Sequence, residues 1–228
     1  MTVLQAQILE RCLGTPEPVG AALCAGGLIV LGSRTSAGAR GRAILCGVAG
    51  LMGGAAVNRM AKHGRGLVSI AVDVETAFRL GLRRMAGAAR GRPTKPEYLV
   101  SIEAATCSDS GISAHDRAAT LRAAGALEAC QDDLVSPGHI MPMLVGDCLS
   151  SSATLPEIGR AIVARYTPYK VAAWCDVLDD DGELADFEQG ARCAERLAIP
   201  FFVADGWSTP NASFPSAWPV PDSPPNVT

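Results

Sequence analysis

The 228-residue chain lacks the segments that would place it in a membrane or direct it to secretion. No run of 18 consecutive apolar residues is present, so the sequence predicts no transmembrane helix. Residues 1–11 carry polar side chains throughout and lack the apolar centre of a signal peptide. We therefore expect a cytoplasmic protein without a membrane partner.

Closely spaced cysteine pairs are also missing. The eight cysteines are scattered and include no Cys-x-x-Cys pair, whereas zinc sites and disulfide frameworks need closer or patterned spacing. We therefore expect reduced cysteines, most of which serve as small core residues.

A large positive charge is absent as well. The net charge is −3 and 19% of the residues are charged, which gives no sign of a nucleic-acid partner. Hydrophobic residues make up 48% of the chain, which is enough to bury a full core in one sizeable domain.

The most consequential absence is the lack of Asp and Glu directly after the first predicted strand, residues 28–31. Residues 32–42 contain three arginines and no Asp or Glu. Magnesium needs hard oxygen ligands, usually including one or two carboxylates. The arginines would also repel a divalent cation. Residues 32–42 therefore offer no carboxylate ligand to a metal ion.

Residues 99–142, which include His139, contain the most informative pattern of the sequence. Residues 98–105 are predicted as a strand and residues 106–113 as a small polar loop. Ser113 then begins a helix as the N-cap residue of a capping box. A predicted turn at residues 136–139 places His139 just before another apolar run.

Further strands and helices alternate irregularly along the chain, which is typical of an α/β or α+β fold. The predicted strands include residues 67–72, 171–177 and 201–204. A Thr-x-x-Glu capping box at residues 154–157 predicts a helix that runs to about residue 164.

Two motifs in the central region resemble those of a known family. Residues 110–117 read Ser-Gly-Ile-Ser-Ala-His-Asp-Arg, and residues 137–142 read Pro-Gly-His-Ile-Met-Pro. In this order they resemble 3,4-dihydroxy-2-butanone 4-phosphate synthase of riboflavin biosynthesis. Residues 62–68, 100–104 and 174–176 also resemble elements of that family.

The resemblance implies a mixed β-sheet flanked by helices in a single synthase-like domain, residues 19–207. An N-terminal extension, residues 1–18, and a Pro-rich C-terminal tail, residues 208–228, complete the expected organisation. The resemblance also implies a homodimer with its small-molecule substrate bound near the subunit interface.

The family's reaction converts ribulose 5-phosphate to a four-carbon ketone phosphate and formate with magnesium, and several of its residues are missing here. Its acidic loop matches the carboxylate-free residues 32–42. Its metal-binding His lies in an Arg-Gly-Gly-His-Thr-Glu run, but the matching residues 149–157 contain neither Arg nor His. Ser136 stands where the family has an Arg before Pro-Gly-His. We therefore expect the parent activity to be lost, and we expect a protein without a metal site and without a cofactor.

His139 and Asp176 are the candidate catalytic residues. The resemblance gives the matching histidine an acid–base role, and imidazole titrates near neutral pH. Asp176 matches the family's late catalytic Glu, and its apolar neighbours would raise the pKa of its carboxyl by desolvation. The alternatives are a histidine satisfied by the backbone and an exposed carboxylate at a strand end.

Five further residues are candidates for substrate binding: Cys107, Asp109, Ser110, Ser113 and Thr154. The resemblance places the first four beside the substrate phosphate, where the charge of Asp109 would repel a phosphate. We expect Cys107 to be a small loop residue rather than a nucleophile. Thr154 lies close to the position of the missing metal-binding His, and its own expected role is the helix cap.

Three functions remain open from the sequence. The first is a repurposed, metal-independent lyase, isomerase, dehydratase or cyclase on an unphosphorylated small molecule, for which specialised metabolism is a natural setting. The second is a non-catalytic binding or scaffolding paralogue, and the third is residual synthase activity with relocated metal ligands. The survival of His139 together with Asp176 favours an enzyme over a scaffold.

Overall fold

The computed structural model describes residues 18–34, 42–85, 97–107, 109–146 and 153–205. Three segments with sequence expectations lie outside the described residues, namely residues 1–17, residues 35–41 and the Pro-rich tail. Within the described ranges, no helix combines the length and the apolar character needed to cross a membrane.

An eight-stranded mixed sheet forms the centre of the fold. Its strands are β1 (Leu28–Ser33), β2 (Arg42–Val48), β3 (Ser69–Val72), β4 (Glu97–Tyr98), β5 (Ile102–Ala104), β6 (Leu134–Leu144), β7 (Ala172–Asp176) and β8 (Phe201–Val203). Their order is β4-β6-β3-β7-β2-β1-β8, and β5 pairs with β6. The β1–β8 and β3–β6 pairs are parallel, whereas the remaining pairs are antiparallel.

Helices flank this sheet, as the sequence predicts. They are α1 (Pro18–Cys24), α2 (Gly54–Arg59), α3 (Val74–Arg79), α4 (Ala114–Gly125), α5 (Leu155–Tyr166) and α6 (Phe187–Leu197), and a π-helical turn at Met60–Gly64 follows α2. Local side-chain caps fix where the longer helices begin, because a helix leaves its first N–H groups without internal partners. At the start of α6, for example, Asp186 accepts the main-chain N–H of Gln189 at 2.8 Å.

The central strands are buried on both faces because helices cover both sides of the sheet. Successive side chains of a strand alternate between the two faces. Leu28 and Val30 therefore lie in the core that faces α2, α4 and α6. Ile29 and Leu31 lie in the core that faces α1 and α5. This double burial explains why the strands read as continuous apolar runs in the sequence.

The cysteines in the described ranges are free thiols, as expected for reduced core residues. Cys46, Cys175 and Cys193 are buried. Burial raises the pKa of the Cys46 and Cys175 thiols to about 12. These two cysteines therefore stay protonated and fill space in the core.

Three elements differ from the sequence expectations. The sequence patterns do not predict β2, because a strand that is buried on both faces shows no alternation of apolar and polar residues. Residues 32–42, which the sequence predicts as a loop, belong to β1 at their start and to β2 at their end. Residues 136–139 are not a separate turn but an irregularity within β6. The adjacent residues Ile102 and Glu103 of β5 pair with Ile140 and Val135, so no residue of β5 pairs with residues 136–139. The predicted strand at residues 98–105 is divided into β4 and β5.

A buried ion pair joins α5 to the start of α3. The Asp73 side chain caps α3 by accepting the main-chain N–H of Thr76 at 2.7 Å, and Asp73 is only 2% exposed. The other carboxylate oxygen of Asp73 accepts a hydrogen bond from Arg160 of α5, which is 8% exposed. Burial lowers the pKa of the Arg160 guanidinium to about 10. Arg160 therefore remains charged at neutral pH and balances the buried carboxylate.

Replacing Arg160 with Met should lower the free energy of unfolding by about 3–5 kcal/mol, because it leaves a buried carboxylate without its cation. Urea denaturation measures this change. The matched control is Arg165→Met on the exposed side of the same helix, for which we expect a change below about 0.5 kcal/mol. Equal effects of the two substitutions would contradict a structural role for the buried pair.

Candidate active site

Glu103 and His139 form a hydrogen-bonded pair between β5 and β6. The Nδ1 atom of His139 lies 2.7 Å from Oε2 of Glu103, and the main-chain N–H of His139 donates to the same oxygen at 3.2 Å. An ionised carboxylate only accepts hydrogen bonds, so Nδ1 carries the proton and Nε2 of the neutral ring keeps its lone pair. The His139 side chain is 40% exposed, which leaves Nε2 available to a ligand.

The Glu103 carboxylate is fixed from its other side by α4. The hydroxyl of Thr120 donates to Oε1 of Glu103 at 2.8 Å and accepts the main-chain N–H of Ala104 at 3.0 Å. A Cβ atom on Gly111 would lie 2.1 Å from Oε2, so only glycine leaves room for the carboxylate. Glu103 is 8% exposed, and its buried charge is therefore fully hydrogen-bonded.

Two of the predicted residues, Cys107 and Ser113, lie in the loop before α4. Ser113 donates its hydroxyl to Oδ2 of Asp116 at 2.6 Å and accepts the Asp116 N–H at 3.0 Å, as the predicted cap requires. Partial burial and the charges of Asp116 and Glu103 raise the pKa of the Cys107 thiol. A protonated thiol is a poor nucleophile, which supports the expectation of a small loop residue at Cys107.

The other predicted binding residues occupy less central positions. Asp109 and Ser110 are exposed in the same loop, and the Ser110 N–H donates to Oδ1 of Asp109 at 2.8 Å. Thr154 lies at the start of α5, where its N–H and its hydroxyl donate to Oε2 of Glu157 at 2.6 and 2.9 Å. The predicted capping box is confirmed, and the Thr154 hydroxyl is engaged within it.

Asp176 ends β7 and shares its surroundings with an arginine and a tyrosine. It pairs with Ile44 of β2, and Arg42 lies two residues earlier on that strand. Desolvation raises the pKa of the Asp176 carboxyl, as the apolar neighbours predict, and the charge of Arg42 opposes this rise. Burial and the charge of Asp176 raise the pKa of the Tyr98 hydroxyl, whereas Arg42 lowers it. Arg42, Tyr98 and Asp176 therefore form one electrostatic cluster.

His139 and Asp176 reach the same end of the sheet. Ser69 of β3 pairs with both Met141 of β6 and Trp174 of β7. His139 precedes Met141 and Asp176 follows Trp174 by two residues, in the same direction along β3. Because β6 and β7 flank β3, their backbones are about 10 Å apart, which is two strand spacings. A small molecule can span that distance.

Glu103, Arg42 and Tyr98 also contribute to this site, and the sequence motifs do not indicate any of them. The signal for Glu103 is a carboxylate inside a predicted apolar strand, because a buried carboxylate needs hydrogen-bond partners. Arg42 and Tyr98 have no such local signal. They approach Asp176 only because β2 and β4 belong to the same sheet.

The fold defines an α/β protein with a candidate site at one end of its sheet, and comparison with known proteins gives the family. The family model described as 3,4-dihydroxy-2-butanone 4-phosphate synthase matches residues 19–205. The chain belongs to this family, which confirms the resemblance found in the sequence.

Two curated relatives illustrate the extent of the similarity. The 3,4-dihydroxy-2-butanone 4-phosphate synthase of Pseudomonas aeruginosa is 40% identical over 132 residues, which are 57% of this chain and 35% of the relative. The protein of the same name from Chromobacterium violaceum is 34% identical over 145 residues, which are 62% of this chain and 68% of the relative. The match therefore spans about a third of the first relative and two thirds of the second.

Solved structures share the fold. A two-domain 3,4-dihydroxy-2-butanone 4-phosphate synthase from A. baumannii superposes with a TM-score of 0.70 at 27% identity, over 81% of this chain and 54% of that one. A synthase of the same name in complex with two magnesium ions superposes with a TM-score of 0.71 at 22% identity, over 82% of this chain and 91% of that one.

The described residues of this chain do not fit a magnesium site of that kind. Within the described ranges, no group of three or more His, Cys, Asp or Glu side chains is placed to hold a metal ion. The Glu103 carboxylate already accepts three hydrogen bonds from His139 and Thr120. Asp176 has the positive charge of Arg42 beside it, which repels a divalent cation.

Replacing Gly111 with Ala should disturb the Glu103 carboxylate directly. The φ angle of Gly111 is 77°, which strains any residue with a Cβ atom, and the new methyl group would also collide with Oε2 of Glu103. Gly182→Ala is the matched control, because Gly182 has a φ angle of 84° and no atom within 4 Å of the added Cβ.

We expect Gly182→Ala to lower the free energy of unfolding by about 1 kcal/mol. Gly111→Ala should lower it by about 1–3 kcal/mol more, since a buried carboxylate loses hydrogen bonds. Urea denaturation of both variants measures the difference. Equal losses would show that the Glu103 carboxylate does not depend on the space at Gly111.

The raised pKa of Asp176 predicts a specific dependence of stability on pH. The folded protein binds this proton more tightly than the unfolded chain, whose carboxyl pKa is about 3.9. Stability should therefore fall as the pH rises from about 3.9 to the raised folded value, and then stay lower. Asp176→Asn should remove this fall and be more stable than the wild type at pH 7.

Denaturation at a series of pH values tests this expectation, and Asp180 provides the contrast. The hydrogen bond and charge of Arg65 lower the pKa of the Asp180 carboxyl, so Asp180→Asn should lose stability at neutral pH rather than gain it. An advantage of Asp176→Asn that persists unchanged at about pH 3 would contradict the proposed titration.

Proposed function

We propose that this chain is a metal-independent acid–base enzyme that acts on an unphosphorylated small molecule by removing a proton next to a carbonyl group. The carrying observation is the 2.7 Å contact between Glu103 and His139, at the end of the sheet that also contains Asp176 and Arg42. Lyase, isomerase, dehydratase and cyclase reactions can each begin with such a step. Specialised metabolism remains the setting that we propose for it.

In this proposal His139 is the base. Its Nε2 atom accepts the proton from the carbon next to the carbonyl, and the electron pair of the broken C–H bond forms the enolate. Glu103 is a positioning residue, because its hydrogen bond to Nδ1 fixes the ring and selects the tautomer with a free Nε2 lone pair.

Asp176 and Arg42 act on the oxygen where negative charge develops. A raised pKa increases the fraction of Asp176 that is protonated, so its carboxyl can donate a proton to the carbonyl oxygen. The guanidinium of Arg42 stabilises the same oxygen while it is negative, in the way that fixed charges stabilise an oxyanion. In this proposal the positive charge beside the substrate oxygen thus comes from the Arg42 side chain.

The substrate class follows from charges near the loop before α4. Ser136, which precedes the Pro-Gly-His motif, is exposed and uncharged. Asp109 is exposed in the facing loop and would repel a phosphate group. A neutral or less charged ligand, such as an unphosphorylated hydroxyketone, suits these surroundings better than a sugar phosphate.

Synthase activity itself is the second candidate, and family membership favours it. The curated relatives bear the name of that activity, and His139 and Asp176 are present at matching positions. This candidate requires metal ligands from other parts of the chain. It predicts formate release from ribulose 5-phosphate that depends on magnesium.

Two assays on the purified full-length chain separate these candidates. One incubates ribulose 5-phosphate with and without magnesium and measures formate. The other incubates ribulose and dihydroxyacetone in D2O with a chelator and follows deuterium exchange next to the carbonyl by NMR. We expect exchange in the second assay and no formate in the first.

Substitutions in the Glu103–His139 pair should slow the exchange. His139→Ala removes the base and should lower the rate about 100-fold or more. Glu103→Gln keeps the shape but loses the charged acceptor that orients the ring, so we expect a loss of roughly 10-fold to 100-fold. His115→Ala, at an exposed position on α4, is the matched histidine control and should retain the full rate.

Each remaining outcome contradicts the proposal in a different way. Magnesium-dependent formate release that disappears in His139→Ala would establish the second candidate. Absence of turnover in both assays by a folded protein would indicate the binding or scaffolding paralogue. Exchange that survives in His139→Ala would remove this histidine from the mechanism.

A further inference from the structure

A cleft of about 380 Å³ lies between α6 and the segment that follows β7. Its volume is within the range of about 300–1,000 Å³ that is typical of small-molecule sites. One wall is a face of α6 that includes Arg192 and Arg196, and the opposite wall includes Arg65 and the acidic turn of residues 179–181. The proposed reaction uses none of the residues that line this cleft.

Two arginines of the cleft have no carboxylate partner within the described residues. Arg192 and Arg196 are four residues apart on α6, so their side chains are neighbours on one face of the helix. Both residues are exposed. The Arg196 guanidinium lies 3.7 Å from Sγ of Cys193.

The carboxylates of the opposite wall are largely engaged. Asp180 forms an ion pair with Arg65 at 2.6 Å. Asp179 accepts the main-chain N–H groups of Asp181 and Glu183 at 3.1 and 2.9 Å. Asp181 is exposed and has no ion pair in the part of the chain that the structure describes. Apart from the Arg65–Asp180 pair, the cleft thus has the positive charges of Arg192 and Arg196, the exposed carboxylate of Asp181, and the carboxylate of Asp179, which is already hydrogen-bonded.

His63, on the π-helical turn, is affected by the charges of two arginines that line the cleft, Arg65 and Arg196. Desolvation lowers the pKa of its imidazole, and so do the charges of Lys62, Arg196, Arg59 and Arg65. Four cations therefore act on one side chain of the π-helical turn. An anion at this place would relieve their mutual repulsion.

We propose that this cleft binds a phosphate monoester, with Arg192 and Arg196 as the paired ligands of its phosphate group. A guanidinium matches a phosphate through two parallel charge-assisted hydrogen bonds, and two adjacent guanidinium groups can clamp one phosphate. Arg65 joins them by exchanging its partner Asp180, because the Asp180 side chain is 97% exposed and exposed ion pairs are weak.

The cleft and Asp176 lie on different faces of the sheet. Val177 of the cleft belongs to the core that faces α6, whereas Trp174 belongs to the opposite core. Since side chains alternate along a strand, Asp176 points to the same face as Trp174. Phosphate binding at α6 therefore leaves the face of the sheet that carries Asp176 free for an unphosphorylated substrate.

Titration of the full-length protein with phenyl phosphate tests the site, and phenol serves as the uncharged probe. Calorimetry should show saturable binding of phenyl phosphate and none of phenol. The Arg192→Gln, Arg196→Gln double variant should bind at least about tenfold more weakly, because it loses both guanidinium groups. The bound dianion should also raise the pKa of His63, which an NMR titration of its ring detects.

Two further variants make the expectation specific. Arg165→Gln removes the same charge from α5, on the other side of the sheet, and should bind phenyl phosphate as the wild type does. Asp181→Asn removes one repulsive carboxylate and should bind roughly two- to threefold more tightly. Both variants are read out by binding, so the result does not depend on the enzyme assays.

Three results would overturn the proposal. The first is the absence of saturable binding at millimolar phenyl phosphate. The second is an equal loss of affinity in Arg165→Gln and in the double variant, which would indicate general ionic attraction. The third is binding that leaves the His63 ring unchanged, which would place the ligand elsewhere on the protein.

Discussion

The hydrogen bonding of the Glu103 carboxylate is the constraint on which the candidate site depends. A buried carboxylate is stable only when its oxygens have donors. Here the donors are the Thr120 hydroxyl from α4 and two N–H groups of His139 from β6. The bonds that satisfy the charge therefore also fix the imidazole. Gly111 completes the arrangement, because any larger residue would occupy the space of the carboxylate.

Two carboxylates of this fold, Asp73 and Asp176, each have an arginine charge near them, with different consequences. Asp73 and Arg160 are both buried and directly hydrogen-bonded, so their charges balance within the core. Asp176 is only partly enclosed, and Arg42 offsets its desolvation without abolishing the rise in the pKa of its carboxyl. A carboxyl that retains a raised pKa beside a cation can exchange a proton with a ligand. The Asp73–Arg160 pair therefore stabilises the fold, whereas Asp176 beside Arg42 is suited to proton transfer.

Local interactions explain which elements could be predicted from the sequence. The starts of α4 and α5 follow from Ser113 and Thr154, because a cap involves residues only three positions apart. The strand β2 could not be predicted, since its burial depends on helices from distant parts of the chain. The same reason applies to the site: His139 and Asp176 are visible in motifs, whereas Arg42 joins them only through the pairing of β2 with β7.

Family membership and site chemistry constrain the function at different levels. The fold assigns the chain to its family, but a reaction depends on the few side chains at the site. A guanidinium such as Arg42 can stabilise a single developing negative charge, whereas a divalent cation can bind two substrate oxygens and polarise both. Proton transfer by a histidine needs only the stabilisation of a single developing negative charge. In our proposal the chain therefore retains the proton-transfer part of the family's chemistry and restricts it to substrates that need no metal-bound pair of oxygens.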